Sequence, residues 1–334
     1  MVFKRIGGAI AALAASALLL TACSAASDGG SEAAGGSSDA ASSSSIKIGV
    51  SIADQKSLFY IAEADGIRTA CEAEGVECLI LSADNDGQRQ VQQINDLLAQ
   101  DIDVLIFTAQ DGTAASAGVK AAHAAGVPVI AVDQKPNDEN ADLLATYIAT
   151  DSVKAAEALC LWMFEQMGGQ GEIGILRGVL GSTAEIERTQ GCNQALAATP
   201  GITVAAEDVA NWDETEAYNA TTNMLQANPN IVAIFGESDA MGIGAAKAAR
   251  DQSRDIIAVG IDGFPTKITA IKEGLTQATQ AQIPFIMGQM AVKDALALLR
   301  GENIPKLQLQ DTVLVTSANV NDVNPVDFYG PNVK

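Results

Sequence analysis

The sequence predicts an α/β protein with two doubly wound parallel-sheet domains, and three observations carry that prediction. Its 334 residues exceed the size of about 250 at which a single hydrophobic core stops growing. From Ile46 onward, short runs of Val, Ile and Leu alternate with helical segments, the pattern of right-handed crossovers between parallel strands. These runs divide about evenly around Asp151, which fits two similar sheets better than one very wide one.

In chain order, Lys4 and Arg5 precede an uncharged apolar run from Ile10 to Leu20. This reads as a secretory signal over residues 1–22, too short to span a bilayer as a helix. It ends in Leu20-Thr21-Ala22-Cys23, which resembles the lipobox of bacterial lipoproteins. That resemblance implies lipidation of Cys23, cleavage before it, and an extracytoplasmic protein anchored to the membrane. Residues 24–45 are Ser, Gly and Ala with a few acids; they lack the apolar surface to fold, and with Cys23 the segment 23–45 reads as a lipidated flexible tether.

Strands are predicted at Ile46–Ile52, Cys78–Ala83, Val104–Thr108, Val127–Val132 and Thr146–Ala149. A second set follows at Glu172–Leu176, Ile202–Val209, Ile231–Phe235, Ile256–Ile261, Leu275–Ala281 and Thr312–Val315. Near-continuous apolar runs mean strands covered on both faces. Ser57 can cap the first helix, with Leu58, Ile61 and Ala62 as its buried stripe. Gly75, Gly126 and Gly274 stand where helices should stop. The last long helix, Phe285 to Arg300, and the closing strand could return to the first domain; periodicity leaves that open.

Composition excludes several functions. With 41 acidic against 20 basic residues there is no basic footprint for nucleic acid. The single histidine, His123, sits near the end of a predicted helix, where a polar or charged group suits the dipole, and one histidine cannot build a histidine metal cluster. Besides Cys23 there are four cysteines, an even number that suggests disulfides in an exported chain. Cys71 and Cys78 flank the Gly75 turn and form the favoured pair. Cys160 and Cys192 lie on separate helices and form the second pair, with buried free thiols as the alternative. No cofactor or metal is expected.

Ligands of open parallel sheets bind beyond the carboxyl ends of the strands. At those ends stand Ser51 to Tyr60, Asp133-Gln134, Leu180 to Arg188, Asn211-Trp212-Asp213, Glu237-Ser238-Asp239, Asp262-Gly263 and Gln280 to Pro284. Carboxylates accept paired hydroxyl hydrogen bonds, arginine donates in a planar fork, and aromatic rings cover apolar C–H faces. This is the chemistry of a polyhydroxylated ligand. Each residue alone also has a structural reading: Asp133, Ser238 and Asp239 as helix caps, Trp212 as core, Arg188 as a surface pair. Gly242-Ile243-Gly244 lacks the third glycine of a dinucleotide fingerprint, and Gly178-Val179-Leu180-Gly181-Ser182 lacks the lysine of a phosphate loop. Its small residues are expected instead to let backbone approach a ligand.

Four stretches together resemble the ribose-binding group of bacterial periplasmic binding proteins: Gly126-Val127-Pro128-Val129-Ile130-Ala131-Val132-Asp133, Glu187-Arg188-Thr189-Gln190-Gly191, Val259-Gly260-Ile261-Asp262-Gly263 and Ala281-Gln282-Ile283-Pro284. The resemblance covers residues 46 to about 318. It implies the type I fold, with three hinge crossings near 150–151, 282–283 and 311–312. The lobes would then be 46–150 plus 283–311 and 151–282 plus 312–334. It also implies that Phe59 and Tyr60 stack on a sugar, that Asp133 and Asp262 accept from hydroxyls, that Arg188 donates to oxygens, that Trp212 is the second lobe's aromatic, and that Gln282 is a hinge-side amide. Ser57, Gln134 and Ser238 depart from the asparagine, arginine and asparagine of ribose binders, which puts ribose itself in question and points to another pentose, a hexose or a sugar alcohol. The implied protein is a monomeric binding module that delivers its ligand to an ABC permease. A sensor that presents its closed form to a receptor is the alternative. A hydrolase would need Asp133 and Asp262 at a set separation across a bond; a repressor would need a DNA-binding head where this chain has a signal and tether.

Overall fold

The computed structural model describes residues 45–110 and 112–333. The signal, Cys23 and nearly all of the tether lie outside the described residues. Elements run in the order β1 (Lys47–Ile52), α1 (Leu58–Glu74), β2 (Glu77–Ser82), α2 (Gly87–Leu98), β3 (Val104–Phe107), α3 (Gly112–Ala124), β4 (Val129–Val132) and β5 (Thr146–Thr150). There follow α4 (Ser152–Gln166), β6 (Gly171–Arg177), α5 (Thr183–Ala198), β7 (Ile202–Val209), α6 (Glu214–Ala227), β8 (Ile231–Gly236), α7 (Asp239–Asp251), β9 (Ile257–Asp262), α8 (Pro265–Lys272) and β10 (Ala278–Ala281). The chain closes with α9 (Pro284–Leu299), β11 (Leu307–Gln310), β12 (Val313–Thr316) and α10 (Val326–Tyr329).

Two six-stranded sheets form, β2-β1-β3-β4-β5-β11 and β7-β6-β8-β9-β10-β12. The strand order is the same in both, and it reverses direction beside β1 and β6, the switch points where a ligand crevice opens. All pairings are parallel except β10 with β12, an antiparallel edge. Each sheet carries a hydrophobic cluster on both faces, which explains why Val104–Phe107 and Val129–Val132 are buried at every position.

The strands pass from one sheet to the other after β5, after β10 and between β11 and β12. Helix α9 packs on α1, β3, β4 and β5 of the first sheet. α1 and α9 come unusually close: a Cβ on Gly66 would stand 2.0 Å from the Phe285 carbonyl oxygen, so only glycine fits there. This contact corrects the expected stripe of α1. Ile61 points outward at 37% exposure, while Phe59, Ala62, Glu63, Gly66 and Ile67 are buried. The polar strand β11 was not anticipated either; its Leu-Gln alternation is half exposed at a sheet edge. The tail beyond β12 packs Val320 and Phe328 with α8 residues, and α10 touches α1 and α9.

Disulfides join Cys71 to Cys78 (Cα–Cα 6.3 Å) and Cys160 to Cys192 (5.6 Å), one beside each sheet. His123 lies in the last turn of α3. Among the described residues no helix is long and apolar enough to cross a membrane.

Candidate ligand-binding site

The carboxyl ends of the two sheets enclose a cavity of about 730 Å³, and all ten residues selected from the sequence line it: Ser57, Phe59, Tyr60, Asp133, Gln134, Arg188, Trp212, Ser238, Asp262 and Gln282. On the first-sheet side, Asp54 accepts from the Ser57 amide at 2.9 Å and so shapes the turn that starts α1. Ser57 caps the helix by accepting from the Phe59 amide at 3.3 Å, so its hydroxyl has a structural task as well. The first turn then presents Phe59 and Tyr60, whose rings meet edge to face at 5.5 Å. The Tyr60 hydroxyl donates to Asp133 Oδ2 at 3.3 Å.

Asp133 does not cap a helix. It follows β4 with a left-handed φ of 57°, held by its amide to the Ile148 carbonyl (2.9 Å) and by the Tyr147 hydroxyl, which donates to its carbonyl (2.6 Å). Gln134 donates from Nε2 to Asp133 Oδ2 at 3.3 Å. Burial raises the Asp133 pKa, and Arg188 across the cavity opposes that shift.

The second-sheet side is a dense charge network. Arg188 projects from α5, is only 4% exposed, and donates to the Glu237 carbonyl at 2.5 Å. Its Nη1 lies 3.6 Å from Asp262 Oδ1, and its guanidinium lies 5.6 Å from the centre of the Trp212 ring. It is therefore no surface pair, and Arg188 Nε has no hydrogen-bond partner among the described residues. Asp262 accepts from Gln282 Nε2 (2.8 Å) and from the Asp239 amide (3.2 Å), while Gln282 Oε1 accepts from Thr150 of the first sheet (2.7 Å). Burial pushes the Asp262 pKa up, and Arg188 pulls it back. Its φ of 151° is one that residues other than glycine rarely adopt, a strained position at the site. Ser238 caps α7 by accepting from the Met241 amide.

Trp212 follows β7 with φ of 64°. Gly178 makes room for it: a Cβ there would stand 1.9 Å from the indole. The small loop after β6 was expected to admit a ligand to the backbone, and at this position it admits the Trp212 ring.

Behind the wall, Glu237 accepts from the Gly178 amide (2.8 Å) and the Thr189 hydroxyl (2.7 Å); burial raises its pKa to about 7. Asp239 accepts from the amides of Gly263 (2.7 Å) and Phe264 (3.0 Å), fixing the loop that carries Asp262, and Lys267 Nζ stands 3.9 Å away. On the other side Glu63 accepts from the Thr108 hydroxyl, and burial raises its pKa to about 8.

Sequence reasoning did not single out Asn85 and Gln110, which also line the cavity; they stand beyond β2 and β3, so the strand-end rule reaches them. It also missed Glu63 and Lys267, for which charge alone signals an exposed position. Among the described residues no cluster of three or more His, Cys, Asp or Glu can hold a metal ion.

The cavity wall can take up a ring of hydroxyls from two sides. It carries four carboxylates (Asp54, Asp133, Asp213, Asp262) and two cations (Lys56, Arg188). With carboxyl groups outnumbering cations, the wall offers an anionic ligand few positive partners.

Comparison with known proteins gives concordant findings. Residues 48–303 match the family model described as a periplasmic binding protein domain. The ribose import binding protein of Bacillus subtilis (strain 168) is 30% identical over 259 residues, 78% of this chain and 83% of that protein. The xylitol-binding protein of Mycolicibacterium smegmatis is 33% identical over 277 residues, 82% and 78% of the two chains. Among solved structures, an ABC transporter periplasmic solute binding protein of Actinobacillus succinogenes with bound D-allose superposes with a TM-score of 0.78 at 26% identity, covering 83% of this chain and all of the other.

Proposed function

This chain belongs to the periplasmic binding protein family, and we propose that it captures one uncharged polyhydroxylated molecule, a monosaccharide or sugar alcohol, and delivers it to an ABC import permease. The observation that carries this reading is the cavity in which Asp133 from one sheet faces the Arg188–Asp262 pair from the other, with Tyr60 and Trp212 alongside. Two carboxylates accept from hydroxyls, the Arg188 guanidinium donates, and the rings cover C–H faces. Relatives named for ribose and xylitol, and a neighbour holding D-allose, fall within this chemistry.

The lobes are 46–150 plus 283–311 and 151–282 plus 312–334, with the ligand between them. The ligand contacts are nine of the ten residues gathered above, with Gln134 set beside them at the junction of the two sheets. Binding across the cleft favours the closed arrangement by the difference in affinity between the two states. The protein acts without turnover and as a monomer. Cys23, outside the described residues, carries the lipid anchor, and residues 24–45 give the folded part reach.

Equilibrium binding of the purified protein to a panel of pentoses, hexoses, polyols and sugar phosphates tests this. Saturable one-to-one binding of a neutral member, with the ligand recovered unchanged and the phosphates rejected, is the expected result. Silence across the neutral members, or conversion of the ligand, contradicts it.

A further inference from the structure

Gln134 lies where the two sheets meet, and both ends of its amide are engaged. Its backbone is fixed: the amide donates to the Val132 carbonyl at 2.6 Å and its carbonyl accepts from Ala109 at 3.1 Å. Its Nε2 donates to Asp133 Oδ2 at 3.3 Å. Its Oε1 accepts from the Thr183 amide at 2.9 Å, on the opposite side of the cavity. Away from the hinge strands and the C-terminal tail, this is the side-chain hydrogen bond among the described residues that crosses the cleft.

The donor is one that needs a partner. Thr183 is the first residue of α5, and the opening amides of a helix have none within it. Ser182 serves the Glu185 amide, which leaves Thr183 N–H to the other lobe. Five residues on, the same helix presents Arg188. One Gln134 side chain thus ties Asp133 to the helix that carries the facing guanidinium.

We propose that Gln134 is a closure latch: through the Thr183 amide it holds the α5 end of the second lobe against the first, so its contribution to affinity is the same for every ligand the cleft accepts. This rests on the binding reading above. A residue that touched the ligand would instead discriminate between ligands, because their hydroxyl patterns differ.

Two substitutions break the bond from opposite ends. Gln134→Ala removes the acceptor. Thr183→Pro removes the donor and leaves the helix in place: proline is favoured at the first helical position, and Ser182, at φ −72° and ψ 151°, already has the extended backbone that a residue before proline requires. Each variant should weaken every binding member of the panel by one common factor of about three to ten, and the double variant should be no weaker than the worse single one. Small-angle scattering of the ligand-free proteins reads lobe separation independently, and both variants should show a larger radius of gyration than the wild type. Ligand-dependent factors for Gln134→Ala with no effect of Thr183→Pro would overturn the latch and make Gln134 a ligand contact. Additive losses in the double variant would also overturn it. If the wild type binds no panel member, the binding reading fails, and scattering alone decides the latch: equal radii overturn it.

Discussion

The two walls of the cleft are built differently. The wall of the first sheet is aromatic and lightly tied: Phe59, Tyr60, Asp54 in the turn before α1, and Asp133, which accepts two hydrogen bonds of 3.3 Å from side chains. The wall of the second sheet is a buried network in which Arg188, Asp262, Glu237, Asp239 and Gln282 each engage another member or its backbone. Two sheets of the same strand order therefore supply unlike halves of one site. The second wall is held by its own hydrogen bonds, and burial there still raises Asp262 and Glu237 to about 7 despite the nearby Arg188. The first wall supplies apolar cover and an acceptor.

The largest expected effect tests this asymmetry. Arg188→Ala or Asp262→Asn leaves a buried charge without its partner and should weaken ligand binding by on the order of 100-fold or more. Tyr60→Phe on the opposite wall removes one neutral donor to Asp133 and should cost about tenfold or less. Calorimetric titration of the three variants ranks them, and equal losses would erase the distinction between the walls.

The disulfides extend the comparison to stability. Cys160–Cys192 closes a separation of 32 residues and Cys71–Cys78 one of 7. Loop-closure entropy then assigns about 3–4 kcal/mol to the first and about 2–3 kcal/mol to the second. Paired Cys→Ser variants, unfolded in denaturant, should lose stability in that order; the reverse order would place the larger constraint in the first lobe.

The smallest effect belongs to Glu63, buried behind the aromatic wall. Burial raises its pKa from 4.5 to about 8, so the folded state binds this proton more tightly than the unfolded chain does. The stabilisation is complete below about pH 4.5 and is lost as pH rises toward about 8. Glu63→Gln cannot ionise and keeps an acceptor for Thr108. Its stability relative to the wild type should rise between pH 5 and pH 8 by on the order of 1–3 kcal/mol. A difference constant across that range would show Glu63 to be ionised in the fold.

Much of this arrangement was legible in the residues. Apolar runs buried on both faces announce themselves, so every strand except β11 was found to within a few residues at each end. The strand-end rule located the cavity residues because parallel sheets place their loops on one rim. What escaped was whatever depends on a neighbour distant in sequence. Ile61 looked like core until Gly66 let α9 cover the adjoining face of α1. Glu63 and Lys267 looked like surface, and only their surroundings make them interior. The Leu-Gln alternation of β11 is too short and polar to stand out, and the tail gains its place only against helices formed earlier in the chain. Gln134 read as one more cavity group, because no periodicity reveals that its carbonyl reaches the amide of Thr183.

The most direct test is the crystal structure of the complex with the tightest-binding neutral member of the panel. The account predicts one molecule between the lobes, with hydroxyls within hydrogen-bonding distance of Asp133, Arg188 and Asp262 together, and a ring or carbon chain against Tyr60 or Trp212. A ligand seated elsewhere, or one that contacts a single wall while the other stands apart, would contradict it.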